Sequence, residues 1–188
     1  MTRSESMTRS NMTRASLDTR LCLGVLLGCC WALSSVAKTP PVEFTEYQIG
    51  QRLPDAALQG INGPSRHLRD FRGKPLLINV WASWCGPCKQ EMASLERLAW
   101  SGVAQHINII GISTDDYPQQ AKQWLAQSHS TISHFIDARL QLEHMLGASR
   151  LPLTVLVGPD GRIVSKIYGA REWDSPQALA LLRAQFAL

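Results

Sequence analysis

Between residues 75 and 100 the chain permits few arrangements. Pro75–Trp81 reads Pro-Leu-Leu-Ile-Asn-Val-Trp, apolar at almost every position. A run apolar on both faces suits a central strand covered on both sides. Four residues later comes Cys85-Gly86-Pro87-Cys88, and from there Cys88, Met92, Leu95 and Leu98/Ala99 recur at helical spacing until Ser101-Gly102. The pattern predicts a helix over Cys85–Trp100. Two cysteines thus stand where a buried strand hands over to a helix.

That position gives the sulfurs their chemistry. A thiolate at a helix N-terminus faces unpaired N–H groups and the positive end of the dipole, so its pKa falls from about 8.5 toward about 7 or below. Cys85, at the edge, is predicted to be the exposed nucleophile. Cys88, one turn on and more buried, resolves the mixed disulfide. Other uses of CxxC fit less well. A structural zinc site needs four ligands, and the body of the chain has no second CxxC or CxxH pair. Haem attachment needs His after the second Cys, where Lys89 stands. A purely structural disulfide across two residues would be strained and reducible. Redox exchange is the reading taken, with no metal and no cofactor beyond the Cys85–Cys88 disulfide.

The other three of the five cysteines, Cys22, Cys29 and Cys30, lie in an apolar N-terminal run. Leu21–Leu33 follows Arg14 and Arg20 and precedes Ser35-Val36-Ala37, which reads as a secretory signal with its cleavage site. Leu26-Leu27-Gly28-Cys29 also resembles a lipoprotein box. Left uncleaved, the 17 uncharged residues Leu21–Ala37 reach the short end of a membrane span. A buried core helix is the remaining alternative. All three export readings place the body in the periplasm or cell envelope, either free or tethered to the inner membrane through residues 21–37. Met-Thr-Arg recurs at Met1, Met7 and Met12, which leaves the start codon ambiguous.

The expected organisation is therefore a signal or anchor over 1–37, a linker over 38–51 and one domain over 52–188. The formal net charge of +4 divides evenly between the N-terminal segment and the body, and no basic stripe interleaves with aromatics. Nucleic-acid binding is unsupported.

Along the body, Ala57–His67 carries turn signals in Asn62-Gly63-Pro64 and predicts a small hairpin, and Leu68–Phe71 a single turn. His106–Ser113 predicts a second buried strand. Pro118–Ser128 follows as a helix, then Thr131–Asp137 as a short strand and Leu140–Leu146 as a short helix. Leu153–Val157 and Ile163–Tyr168 flank Pro159-Asp160-Gly161, a hairpin signal. Asp174–Leu188 is predicted as a closing helix with Leu179, Leu182 and Phe186 inward. The order gives an α/β sandwich. Trp84 is predicted as an apolar rim beside Cys85. Trp81 is predicted as core, Trp100 and Trp124 as packing, and all five histidines as surface or satisfied residues.

Trp81-Ala82-Ser83-Trp84-Cys85-Gly86-Pro87-Cys88 resembles the active site of the thioredoxin superfamily, particularly its exported TlpA/ResA-like thiol–disulfide oxidoreductases. The resemblance spans about Gln48 to Phe186 and includes Arg72-Gly73-Lys74-Pro75 and Leu151-Pro152. It implies a three-layer sandwich around a mixed sheet, with an N-terminal extension and a helix–strand insert at Tyr117–Leu146. It further implies a cis Leu151–Pro152 bond beside the sulfurs. An extended client chain could pair with the Leu151 backbone there, making Trp84, Gly86, Pro87, Leu151 and Pro152 the client-binding candidates. The implied partners are protein thiol or disulfide clients and a membrane or periplasmic electron donor. Several relatives serve cytochrome c maturation.

Glu91 matches a family Glu near the site. If buried, it would have a raised pKa and could exchange protons with Cys88. The alternative is a solvated carboxylate that only favours the helix dipole. Asn79 stands where cytosolic thioredoxins carry a buried Asp, so that position cannot titrate here. Two further functions stay open at this point: a thiol peroxidase, and a Cu(I)-binding chaperone.

Overall fold

A computed structural model describes residues 45–188. The signal or anchor expected over 1–37, with Cys22, Cys29 and Cys30, lies outside the described residues, as does the first part of the expected linker.

Seven strands form one mixed sheet: β1 (Ala57–Gly60), β2 (Arg66–His67), β3 (Leu76–Trp81), β4 (Asn108–Ser113), β5 (Ser133–Ile136), β6 (Leu153–Val157) and β7 (Ile163–Tyr168). Their order is β2-β1-β5-β4-β3-β6-β7. β3, β4 and β5 are mutually parallel, and β6 runs antiparallel to β3. Every residue of β3 is buried.

Strand alternation sends Leu76, Ile78 and Val80 to one face of the sheet and Leu77 and Trp81 to the other. The second face is covered by α1 (Gly86–Ala99), α2 (Pro118–Ser128) and α4 (Pro176–Phe186). The crossovers β3-α1-β4 and β4-α2-β5 advance in the same direction, so a shared handedness puts both helices on one face. The first face receives α3 (Gln141–Leu146) through Leu142, Met145 and Leu146. Three layers result, as the resemblance implied. The insert's strand β5 adds a pairing partner inside the sheet, between β4 and β1.

Local signals explain the element ends. Cys85 caps α1 and Pro87 lies in its first turn, where a missing N–H costs nothing. Ser175 caps α4 by accepting from the Ala178 N–H. α3 starts one residue later than predicted. Leu140 has a left-handed φ of 55°, and the buried Asp137 carboxylate accepts from Gln141 N at 3.0 Å and Glu143 N at 2.8 Å.

Several expectations need correction. Residues 45–51 are not a free linker: Tyr47 N donates to Met145 O, Gly50 N to Ile163 O, and Lys166 pairs with Glu46 at 2.7 Å. Trp100 does not pack but is 77% exposed, because the helix ends on it and turns it outward. In α4 the fully inward residues are Ala178 and Leu182, with Leu179 and Phe186 only half-buried. His134 is buried and only partly satisfied. Its Nε2 contacts Ser130 Oγ at 3.0 Å, while its Nδ1 has no partner.

Candidate active site

The chain leaves β3 at Trp81, passes Ala82–Trp84 and enters α1 at Cys85. Cys85 and Cys88 are disulfide-bonded, with Cα atoms 5.3 Å apart. The Cys88 N–H donates to Cys85 Sγ at 3.2 Å, so a helix N-terminal donor points at the outer sulfur. Cys88 is fully buried and Cys85 keeps 6% of its surface. Cys85 is therefore the more accessible of the two, yet far less open than an exposed nucleophile. Its neighbours Trp84, Gly86 and Pro87 are the exposed part of the site.

β6 begins where β3 ends, since their pairing stops at Val80 opposite Leu153. Pro152, preceded by a cis peptide bond, thus lies at the same end of the sheet as the cysteines. Next to it, a cleft of about 290 Å³ is lined by Trp84, Thr114, Asp116, Leu140, Arg150 and Leu151. A larger cleft of about 780 Å³, lined in part by Tyr47, His67 and Met145, includes neither cysteine.

One helical turn along α1 from Cys88, buried Glu91 belongs to a polar cluster within an apolar layer. Glu91 is 1% exposed, which decides against the solvated-carboxylate alternative. Burial pushes its pKa up, because the charged form loses water, and three donors partly offset this. Trp173 Nε1 donates to Oε1 at 2.6 Å, Arg171 N to Oε1 at 3.2 Å, and Asn79 Nδ2 to Oε2 at 3.0 Å. Asn79 Nδ2 also lies 3.3 Å from Thr154 Oγ1 on β6, while its own Oδ1 is buried without a partner.

Sequence reasoning missed two residues here. Asp115, fully buried, accepts from the backbone and hydroxyl of Ser83, two positions before Cys85. Parallel register offered a signal: Trp81 pairs with Ser113, so the residues two steps beyond each meet. Trp173 sits 82 positions after Glu91, and no local pattern marks it. Of the other tryptophans, Trp81 is core and Trp124 packs against it at a tilt of 52°, with ring centroids 5.1 Å apart. Among the described residues, no three His, Cys, Asp or Glu side chains assemble as a metal site.

The family described as Redoxin matches residues 48–182, most of the chain and all of this site. The chain belongs to the Redoxin family. Within it, this redoxin is 36% identical over 132 residues to the thiol:disulfide interchange protein DsbE of Pseudomonas aeruginosa, covering 69% of this chain and 71% of that one. It is 28% identical over 122 residues to the thiol-disulfide oxidoreductase ResA of Bacillus cereus, covering 65% and 70%. Its fold matches the thioredoxin domain of a thiol-disulfide oxidoreductase from Bacteroides vulgatus, with TM-score 0.61, 22% identity and coverage of 73% and 99%. With the Cys85–Cys88 disulfide at the head of α1, this redoxin is a thiol–disulfide oxidoreductase of thioredoxin-like fold.

Proposed function

We propose that this redoxin reduces disulfides of protein clients outside the cytoplasm. The observation that carries the proposal is Cys85 at the cap of α1, its sulfur accepting the Cys88 N–H. In the reduced protein the same donor stabilises a Cys85 thiolate. That thiolate attacks one sulfur of a client disulfide, forming a mixed disulfide and releasing the client's other sulfur as a thiolate. Cys88 then attacks Cys85 Sγ, which restores the internal disulfide and frees the second client sulfur. Two electrons and two protons pass to the client. A membrane or periplasmic dithiol donor returns them, and no cofactor other than the disulfide is invoked.

Glu91 takes the proton that Cys88 must lose before it attacks. The two residues are one helical turn apart, and the raised carboxyl pKa suits the exchange. Trp84, Gly86, Pro87, Leu151 and Pro152 form the surface against which an extended client lies, with the adjoining cleft receiving its side chains.

The reducing direction rests on Gly-Pro between the cysteines, as in reducing thioredoxins with potentials near about −270 mV, against about −120 mV for the oxidant DsbA. The envelope location rests on the apolar segment 21–37, read as an export signal or as a tether. Haem-binding thiols awaiting cytochrome c maturation are the proposed client class.

Trapping tests the assignment. The full chain carrying Cys88→Ser, expressed in the cell envelope, is expected to accumulate mixed disulfides through Cys85 with a few proteins. Trapping by Cys85→Ser but not by Cys88→Ser would reverse the roles. Turnover of peroxide with no reduction of a protein disulfide would overturn the function.

A further inference from the structure

The Trp173 side chain belongs to the β7–α4 loop, yet it is completely buried against α1. Three α1 residues on one helix face hold that loop. Glu91 Oε1 accepts from Arg171 N and Trp173 Nε1. Ser94 Oγ bonds Arg171 O at 3.1 Å and Trp173 N at 3.0 Å. Arg97 pairs with Glu172 and Asp174. The direction of the indole N–H is thereby fixed from both ends.

An indole N–H and a peptide N–H can only donate. With both aimed at Glu91 Oε1, a proton on that oxygen would confront two donors. We infer that Trp173 is a positioning residue of the redox centre: together with Arg171 N it occupies Glu91 Oε1 and confines the exchangeable proton to Oε2, on the Asn79 side. The inference rests on the reading of Glu91 as the proton carrier and extends it to a residue far along the chain.

Asn79 completes the arrangement. In the orientation observed, Nδ2 donates to Glu91 Oε2 and to Thr154 Oγ1, which suits an ionised carboxylate, and Oδ1 is left unpaired. When Oε2 carries the proton, a half-turn of the amide brings Oδ1 opposite it. Thr154, whose hydroxyl both donates and accepts, follows. The amide thus has two orientations, each matched to one protonation state of Glu91.

The charged groups around Glu91 are few. Arg171 faces it from the loop. β3 and β6 contribute the neutral Asn79 and Thr154. α1 contributes Cys88 and, at its cap, Cys85, both of which titrate when reduced.

Trp173→Phe in the full chain tests the inference, because it keeps the aromatic ring and removes the N–H. A hydrogen bond to an ionised group favours the charged form, so its loss raises the Glu91 pKa, by about one unit. The expected result is an upward shift of that size in the pH midpoint of the step in the exchange rate that Glu91→Gln abolishes. If Glu91→Gln leaves the step in place, the reading of Glu91 as proton carrier fails on its own account. If Glu91→Gln abolishes the step and Trp173→Phe leaves its midpoint unmoved, the role of Trp173 is overturned. Should Trp173→Phe not fold, the unaltered protein still decides. Its Trp173 indole N–H resonance is expected to titrate with the midpoint of that step and to stay fixed in Glu91→Gln. A resonance that ignores the step overturns the inference.

Discussion

Asp115 Oδ2 accepts the backbone N–H of Ser83 at 3.0 Å, and Asp115 Oδ1 accepts the Ser83 hydroxyl at 2.6 Å. The contact ties the turn after β4 to the turn that presents Trp84 and Cys85. Ser113 adds a further hydroxyl to Oδ2 at 2.7 Å. Asp115→Ala would leave these donors buried or half-buried without an acceptor, at about 1–3 kcal/mol for each one fully deprived of water. The expected loss is about 3 kcal/mol in denaturant unfolding of the oxidised protein, with a slower exchange rate because Cys85 is no longer held. An unchanged unfolding midpoint would count against the clamp.

Glu91 predicts an opposed effect on stability and activity. Its folded pKa is raised by burial, so its favourable contribution is complete below its unfolded pKa of about 4.3 and is lost as pH rises through the folded value. Above the unfolded pKa the buried carboxyl is a burden on the fold. Glu91→Gln keeps an oxygen for Trp173 Nε1 and puts an N–H₂ where Oε2 stood, which Asn79 Oδ1 accepts once the Asn79 amide has made its half-turn. The variant is expected to be more stable by about 1–2 kcal/mol at neutral pH and slower in exchange. Equal or lower stability, read from parallel unfolding curves at pH 5 and pH 8, would contradict this.

His134 predicts acid sensitivity distant from the cysteines. Burial lowers its pKa to about 4, against the nearby Glu96 charge that pulls it upward. Its neutral form is favoured in the folded state, so its contribution is complete above about 6.5 and is lost as pH falls from there to about 4. The expected loss over that window is about 3 kcal/mol. Replacing His134 with Gln should flatten the stability profile between those limits, measured by urea unfolding at several pH values.

Trp84 is 69% exposed, so it contributes little to the fold. Trp84→Ala is expected to leave the unfolding free energy within about 0.5 kcal/mol. It should nonetheless raise the KM for a protein client, because the cleft beside Leu151 loses an apolar wall. A stability loss well beyond that figure would mean that the indole supports the loop rather than the client.

The reach of the sequence can be judged residue by residue. Leu76–Val80 and the Cys88, Met92, Leu95, Leu98 spacing determined β3 and α1, because periodicity and cap signals act within a few residues. The two sulfurs followed directly, since their chemistry is set by the element they start. Tertiary structure alone decided how those sulfurs are served. Asp115 meets Ser83 through parallel register, and Trp173 meets Glu91 through a loop that returns across the sheet. It also turned Trp100 outward, docked residues 45–51 on the body and left Cys85 only slightly exposed. Local pattern fixes which face a side chain takes. Its partner, 32 or 82 positions away, is fixed only when strands align and helices pack.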